Sequence, residues 1–152
     1  MRNGTADDTV REDGSEARGS KLRALGQVAL GAALLGAGIG HLTVAREEFQ
    51  AQVPGWFPID EDVTVLASGV VEIGLGGLLL AVWKQPWRAR VGLAAAAFFV
   101  AIFPGNIAQY LEGKDGFCLD TDAKRLARLP FQAVLIGVAL WGTDARSLRR
   151  KR

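Results

Sequence analysis

Residues 63–83 read VTVLASGVVEIGLGGLLLAVW, a stretch of 21 residues in which Glu72 is the only ionisable side chain. An α-helix rises about 1.5 Å per residue, so this stretch is long enough to cross the roughly 30 Å hydrocarbon core of a bilayer. Two other stretches of similar length and composition, residues 22–45 and 91–111, lie on either side of it in the chain. The sequence therefore predicts an integral membrane protein built from α-helices.

A fourth apolar stretch, residues 129–143, is shorter and reaches only about 22 Å as a helix. We expect its helix to begin earlier, so that the fourth span covers residues 126–143. Lys124, Arg125 and Arg128 would then lie at the membrane interface or extend outward, as long basic side chains do at helix ends. The predicted fold class is an all-α, four-helix bundle in the membrane.

The basic residues are distributed unevenly along the chain and predict its orientation. The N-terminal region, the second connection and the C-terminal tail hold 5, 3 and 5 Lys or Arg residues, whereas the first and third connections hold 1 and 4. By the positive-inside rule, both termini lie in the cytoplasm of a multi-pass plasma-membrane protein. The transmembrane domain, residues 22–143, is expected between a disordered polar tail, residues 1–21, and a basic tail, residues 144–152.

The composition disfavours several classes of cofactor and partner. One Cys excludes an intrachain disulfide and a multi-cysteine iron–sulfur site, and one His excludes bis-imidazole haem ligation within the chain. A tetrahedral zinc site is equally disfavoured, because its usual ligands are His and Cys. We predict no metal and no intrinsic cofactor. The net charge of +2 is explained by membrane orientation, so nucleic acid is not an expected partner.

The first span carries small residues at four-residue spacing, namely Ala32, Gly36 and Gly40. This spacing places them on one helix face, where a second helix can approach closely. Packing within the chain is favoured over dimerisation as the use of this face.

Polar side chains inside the apolar spans are few, and function is expected among them. We single out His41, Glu72, Asn106, Gln109 and Gln132. Side chains on a helix lean toward its N-terminus. His41 and Asn106 lie on outward-running spans and so lean inward, whereas Glu72 lies deeper on an inward-running span and leans outward, which closes the difference in depth. We therefore expect His41, Glu72 and Asn106 to cluster in the outer half of the bundle.

A buried Glu72 costs at least about 2.5 kcal/mol on insertion scales, so it should face the interior and be paired, protonated or hydrated. One interpretation is a site at which Glu72 and His41 relay protons or bind a polar head group such as a quinone carbonyl. The other is an interhelical clamp worth roughly 1 kcal/mol that fixes the helices in register. Both remain open from the sequence.

Two proline-containing segments adjoin this predicted site. Residues 49–58 read FQAQVPGWFP, which suits either a lid over the outer end of the bundle or an aromatic anchor at the membrane interface. Pro104, which precedes Gly105 and Asn106, is expected to kink the third span, because proline removes a backbone donor. The kink would free polar backbone for Asn106 or a ligand, or it would serve packing alone.

Several motifs together resemble the DoxX-like family of small four-helix membrane proteins. They are HLTVAREEF at residues 41–49, PGWFP at 54–58, SGVVEIGLG at 68–76, PGNIAQY at 104–110, LDTD at 119–122 and RLPFQ at 128–132. The resemblance covers roughly residues 22–143. It implies a four-helix membrane fold, a loose association with redox systems and a polar intramembrane site at His41, Glu72 and Asn106.

Two functional hypotheses follow. In the first, the chain is an accessory subunit of a membrane redox system, in which a quinone binds at the polar site and a redox-protein partner supplies electrons. In the second, it is an assembly or scaffolding factor without catalytic activity, docking a partner or a second copy of itself. A small proton-coupled carrier is disfavoured, because the sequence shows no inverted repeat.

Overall fold

The computed structural model describes residues 5–148, with side chains from residue 17 onward. This part of the chain is helical and contains no β-strand, so the all-α prediction is confirmed. The helices are α1 (Thr5–Leu42), α2 (Arg46–Gln50), α3 (Glu61–Ala81), α4 (Trp87–Leu111) and α5 (Asp122–Gly142), followed by a short 3-10 helix (Ala145–Leu148).

Three helices are long and apolar enough to cross a membrane, namely Ala17–Leu42 within α1, Glu61–Ala81 and Trp87–Leu111. The prediction of a membrane protein is confirmed to this extent. Helix α5 is less apolar than these three helices, because its first two turns carry Asp122, Lys124 and other charged side chains. The predicted fourth span, residues 126–143, corresponds to the remainder of this helix and the residue after it.

The N-terminal segment differs from its predicted disorder. Helix α1 extends back to Thr5, although residues 1–21 are polar and lack hydrophobic periodicity. No proline occurs before Pro54, so nothing in the sequence blocks the backbone hydrogen bonds that extend the first span toward the N-terminus. The four N-terminal residues and the last four residues of the basic tail lie outside the described part.

One apolar core joins the four long helices. Its buried members are Leu30 and Leu34 of α1, Leu75 and Leu79 of α3, Ala95, Ala96 and Phe99 of α4, and Ala139 of α5. Large apolar side chains such as Val70, Val100 and Val134 remain more than half exposed, as expected for helices that face lipid. Because lipid is itself apolar, close van der Waals packing rather than transfer from water holds such helices together.

Helices α1 and α3 pack closely through glycines. A Cβ atom at Gly38 would lie 2.6 Å from the carbonyl oxygen of Gly69, and one at Gly76 would lie 2.7 Å from that of Gly31. Any side chain at these positions would force the two helices apart. The contact therefore depends on two pairs of glycines, each pair separated by seven residues on its own helix.

The predicted packing face of α1 is therefore corrected. A Cβ at Gly36 would meet nothing within 4 Å, and one at Gly40 would meet Ala45 and Phe49 rather than another long helix. Ala32 is also exposed. Several sets of small residues in this glycine-rich span have a four-residue spacing, so the spacing alone does not identify the packing face. The residues that meet α3 are Gly31 and Gly38, which are seven positions apart.

A cluster of polar side chains joins the helices at the end opposite His41. Gln27 of α1 is 1% exposed and donates to the carbonyl oxygens of Leu79, at 2.7 Å, and Val82, at 3.0 Å. Its own oxygen accepts from Arg88 Nε at 2.6 Å, and Arg88 also donates to the carbonyl of Gly142 at 2.6 Å. We call Gln27 and Arg88 the inner clamp, since the two side chains connect all four long helices.

Candidate functional site

His41 and Glu72 are adjacent, as the sequence predicts. His41 lies one residue before the end of α1, and Glu72 lies near the middle of α3, with His41 Nδ1 at 2.9 Å from Glu72 Oε2. Both side chains are 6% exposed. The close approach requires Gly69, because a Cβ there would lie 2.7 Å from the Cβ of His41.

The hydrogen bonds around His41 leave one carboxylate oxygen of Glu72 without a partner. His41 Nδ1 is also 2.9 Å from the carbonyl oxygen of Ala37, which only accepts, so the network assigns the proton to Nδ1 and directs it to Ala37. Glu72 Oε2 touches the same nitrogen, yet it is a buried atom without an aligned hydrogen-bond donor. The imidazole ring stacks on Phe49, with ring centroids 3.4 Å apart.

Asn106 and Gln132 form a second buried polar pair, on α4 and α5. Asn106 Nδ2 donates to Gln132 Oε1 at 3.1 Å, and Gln132 Nε2 donates to the carbonyl oxygen of Phe99 at 2.6 Å. The two side chains are 3% and 5% exposed. Pro104 lies within α4, two residues before Asn106 and five after Phe99, so the predicted proline-containing segment adjoins this pair.

A cavity of about 430 Å³ lies between the α1–α3 pair and the α4–α5 pair, and both polar pairs line it. Its volume is within the range of small-molecule binding sites. The remaining walls are mostly apolar, including Leu30, Leu34, Phe99 and Leu135. The geometry suits a molecule with an apolar body and a polar group.

Gln109 lies apart from this cavity. It is 1% exposed, and its Nε2 is 3.5 Å from the carbonyl oxygen of Lys114 in the connection between α4 and α5. Its Oε1 is buried without a hydrogen-bond partner. Of the five polar residues singled out in the spans, His41, Glu72, Asn106 and Gln132 line the cavity, and Gln109 does not.

The segment from Gln52 to Phe57 lines the cavity, and we call it the lid. Three side chains from α5 and from the connection between α4 and α5 bind it. Glu112 accepts from the Gly55 backbone N–H at 3.1 Å, Lys114 Nζ donates to the carbonyl of Val53 at 2.8 Å, and Arg128 donates to Gln52 Oε1 at 2.9 Å. The hydrogen bond from Gly55, and then that from Lys114, lower the pKa of Glu112.

Sequence reasoning missed Arg128 and Gln52 as cavity residues. Arg128 was expected to lie at the interface or extend outward, whereas the structure turns it toward the lid and the cavity. The signal was available, because Arg128, Gln132 and Leu135 recur at helical spacing and so share one face of α5. Arg125 is also turned inward, being 7% exposed and paired with Asp115 and Asp122.

The chemistry open to this site is proton exchange and hydrogen bonding. Imidazole and carboxylate groups are the usual acids and bases of proteins, and burial in a dry cavity strengthens their interactions with a bound polar group. Over the residues with described side chains, no group of three or more His, Cys, Asp or Glu is placed to hold a metal ion. Cys118, the single cysteine, is exposed in the connection before α5.

Comparison with protein families gives one match. A family model described as a domain of unknown function, DUF8561, matches residues 30–143, which include all of the cavity-lining residues. The chain belongs to this family. No curated protein and no solved structure matches the sequence.

The resemblance to the DoxX-like family is therefore wrong, because the matched region is the one that carried it, and it matches DUF8561 alone. The motifs that suggested it are short, and PGWFP, SGVVEIGLG and PGNIAQY consist mainly of Gly, Pro and apolar residues. Such runs meet the common packing needs of membrane helices and so recur in unrelated families. The redox association that the resemblance implied loses this support.

Proposed function

We propose that this chain is a multi-pass membrane protein that binds an amphipathic molecule in the cavity and exchanges protons with its polar group through His41 and Glu72. The observation that carries the proposal is the buried oxygen of Glu72, which lines the cavity and has no hydrogen-bond partner among the described residues. A buried polar atom without a partner costs about 1–3 kcal/mol. A ligand donor would remove that cost.

The inner clamp provides a comparison within the same molecule. There, both polar atoms of the Gln27 amide are hydrogen-bonded, and neither Gln27 nor Arg88 lines the cavity. If His41 and Glu72 had a purely structural role, we would expect all of their polar atoms to be hydrogen-bonded in the same way. The unpaired oxygen beside an open volume therefore supports a binding role over a second clamp.

We further propose that α5 crosses the membrane with α1, α3 and α4 as a four-helix bundle in the plasma membrane, with both termini in the cytoplasm. Helix α5 has 21 residues, or about 31 Å, which is a sufficient length. Its charged side chains lie in the first two turns, where Arg125 is paired with carboxylates and Lys124 with Asp120. The distribution of basic residues supports the orientation.

A quinone, together with its reduced quinol form, is one member of the proposed ligand class, since it has an apolar tail and the quinol hydroxyl groups can donate the hydrogen bond that Glu72 Oε2 lacks. Binding of a quinone would make the chain an accessory component of a membrane redox system, with a redox-protein partner as the source of electrons. The cavity and the two polar pairs that line it support this form of the proposal.

A scaffolding role is the second candidate, and open helix faces favour it. A Cβ at Gly36, Gly74, Gly77 or Gly137 would meet nothing within 4 Å, so a helix of a partner or of a second copy has close access there.

Affinity purification from native membranes, with extraction of bound lipids and quinones, distinguishes the two candidates. We expect the wild-type chain to retain an amphipathic molecule, and Glu72→Gln to lose most of it while remaining folded in the membrane. Glu47→Gln is the matched control, because Glu47 is exposed and lies outside the cavity. A ligand-free wild-type protein with a stable protein partner unaffected by Glu72→Gln would contradict the binding role and favour scaffolding.

A further inference from the structure

We infer that Arg128 and Gln52 form a subsite for an anionic head group, so that the ligand is a single-chain amphiphile with an acidic head, such as a lipid carboxylate. This inference rests on the proposed function, namely that the cavity holds an amphipathic molecule. It adds the charge of the ligand and the residues that recognise it. We call Arg128 and Gln52 the head-group subsite.

Arg128 has spare hydrogen-bonding capacity at the cavity. A guanidinium carries five N–H donors and no acceptor. Its one hydrogen bond to a described residue goes to Gln52 Oε1, and its plane lies over the ring of Phe117 at 5.5 Å. No carboxylate of the described side chains lies within salt-bridge distance of it. Arginine in such a position is suited to a planar oxyanion, which it binds through two parallel hydrogen bonds.

Gln52 contributes a second donor that lacks an acceptor. Because Arg128 only donates, Gln52 must present its oxygen to Arg128, and this fixes the orientation of the amide. The amide nitrogen, Nε2, is consequently left buried with no partner. Reversing the amide would place two donors against each other. A ligand oxygen beside both side chains would satisfy Gln52 Nε2 and the remaining N–H groups of Arg128.

The charge of the cavity leads to the same conclusion. Its ionisable lining residues are His41, Glu72 and Arg128. His41 and Glu72 face each other at 2.9 Å, whereas no described carboxylate lies within salt-bridge distance of Arg128. Arg128 therefore carries a positive charge that no described group compensates. An anionic head group would neutralise it, whereas a neutral quinone would not.

The test compares two probes of equal chain length, decanoate and decanol, together with the neutral decylubiquinone. Binding to the full chain in phosphatidylcholine nanodiscs is measured by isothermal titration at pH 8, with empty nanodiscs as background. We expect decanoate to bind at least about ten-fold more tightly than decanol, because hydrogen bonds to charged groups are among the strong ones. Decanoate should also displace decylubiquinone.

Variants assign the preference to the subsite. Arg128→Gln should lose the ten-fold preference for decanoate over decanol, and Arg128→Lys should retain part of it. Gln52→Leu should reduce the preference by a smaller factor. Lys124→Gln is the control, since this cation lies on the same helix and outside the cavity.

Two results would overturn the inference while leaving the proposed function intact. These are equal binding of decanoate and decanol by the wild-type chain, and a preference for decanoate that persists in Arg128→Gln. Tighter binding of decylubiquinone than of decanoate would also overturn it, in favour of a neutral ligand. If none of the three probes binds, the proposed function and the inference built on it are both wrong.

Discussion

At the scale of single residues, the buried polar side chains differ in whether all of their polar atoms have hydrogen-bond partners. Gln27 and Gln132 use their amide nitrogen and oxygen in hydrogen bonds to other helices. Glu72 and Gln52 each keep one buried atom without a partner, and both line the cavity. The paired groups are suited to stabilise the helix packing. Glu72 and Gln52 are suited to bind a ligand because their unpaired atoms belong to residues that line the cavity, whereas Gln109, whose Oε1 is also unpaired, lies outside it.

Gln132→Leu tests this division. The substitution removes the acceptor of Asn106 Nδ2 and the donor to the Phe99 carbonyl, so we expect the free energy of unfolding to fall by about 1–3 kcal/mol. Unfolding in mixed micelles, followed by circular dichroism, measures the change. The double variant Asn106→Leu/Gln132→Leu should lose less than Gln132→Leu alone, because it leaves no unpaired amide. An additive loss in the double variant would contradict this assignment.

The position of His41 and Glu72 could be predicted from the sequence, because a carboxylate in an apolar span must face a polar partner and few were available. The position of Gln109 outside the cavity could not be predicted, because its depth in the span is similar to that of Asn106. What distinguishes it is its contact with the connection between α4 and α5. Gln27 was overlooked because two of its three partners are backbone carbonyls, which carry no sequence signal.

At the scale of helices, glycine contacts between α1 and α3 determine the site. Gly38 and Gly69 bring the two backbones together one turn or less from His41 and Glu72. The sequence showed that small residues would be used, but the span contains too many of them to identify the contacting set. The predicted span starts at residue 63, whereas the helix begins at Glu61, because the Asp60 side chain caps it by accepting from the Asp62 and Val63 backbone N–H groups.

Gly69→Ala should destabilise the protein, because the new Cβ would lie 2.7 Å from His41 Cβ and 3.1 Å from the Gly38 carbonyl oxygen. Overpacking of this kind typically costs 1–3 kcal/mol, so we expect roughly that loss, measured as a lower midpoint of thermal unfolding in detergent. Gly74→Ala is the matched control on the same helix, since its Cβ would meet nothing within 4 Å. Equal midpoints for the two variants would show that the glycine contact is not required.

At the scale of the whole molecule, the two ends of the helix assembly differ in kind. The end that contains Gln27 and Arg88 is closed by hydrogen bonds that connect all four long helices. The end that contains His41 holds the cavity and the lid, which Glu112 and Lys114 bind. This asymmetry supports a molecule that is rigid at the end of the inner clamp and binds a ligand at the end of the lid.

The proposed orientation is tested with the single cysteine of the chain. Cys118 is exposed in the connection between α4 and α5, so a membrane-impermeant maleimide should label it on intact cells. In a Cys118→Ser background, Ser147→Cys lies after α5 and should be labelled only after the membrane is permeabilised. Labelling of Ser147→Cys on intact cells, or protection of Cys118, would contradict cytoplasmic termini.

Occupancy of the cavity is the central claim, and native mass spectrometry of the chain released from its own membranes tests it most directly. We expect one lipophilic adduct per chain, and we expect Ala37→Leu, which adds volume to the cavity wall, to reduce its abundance. Gly36→Leu is the matched control, because this position faces open space outside the cavity. A chain that carries no adduct, or an adduct equally abundant in Ala37→Leu, would contradict the account.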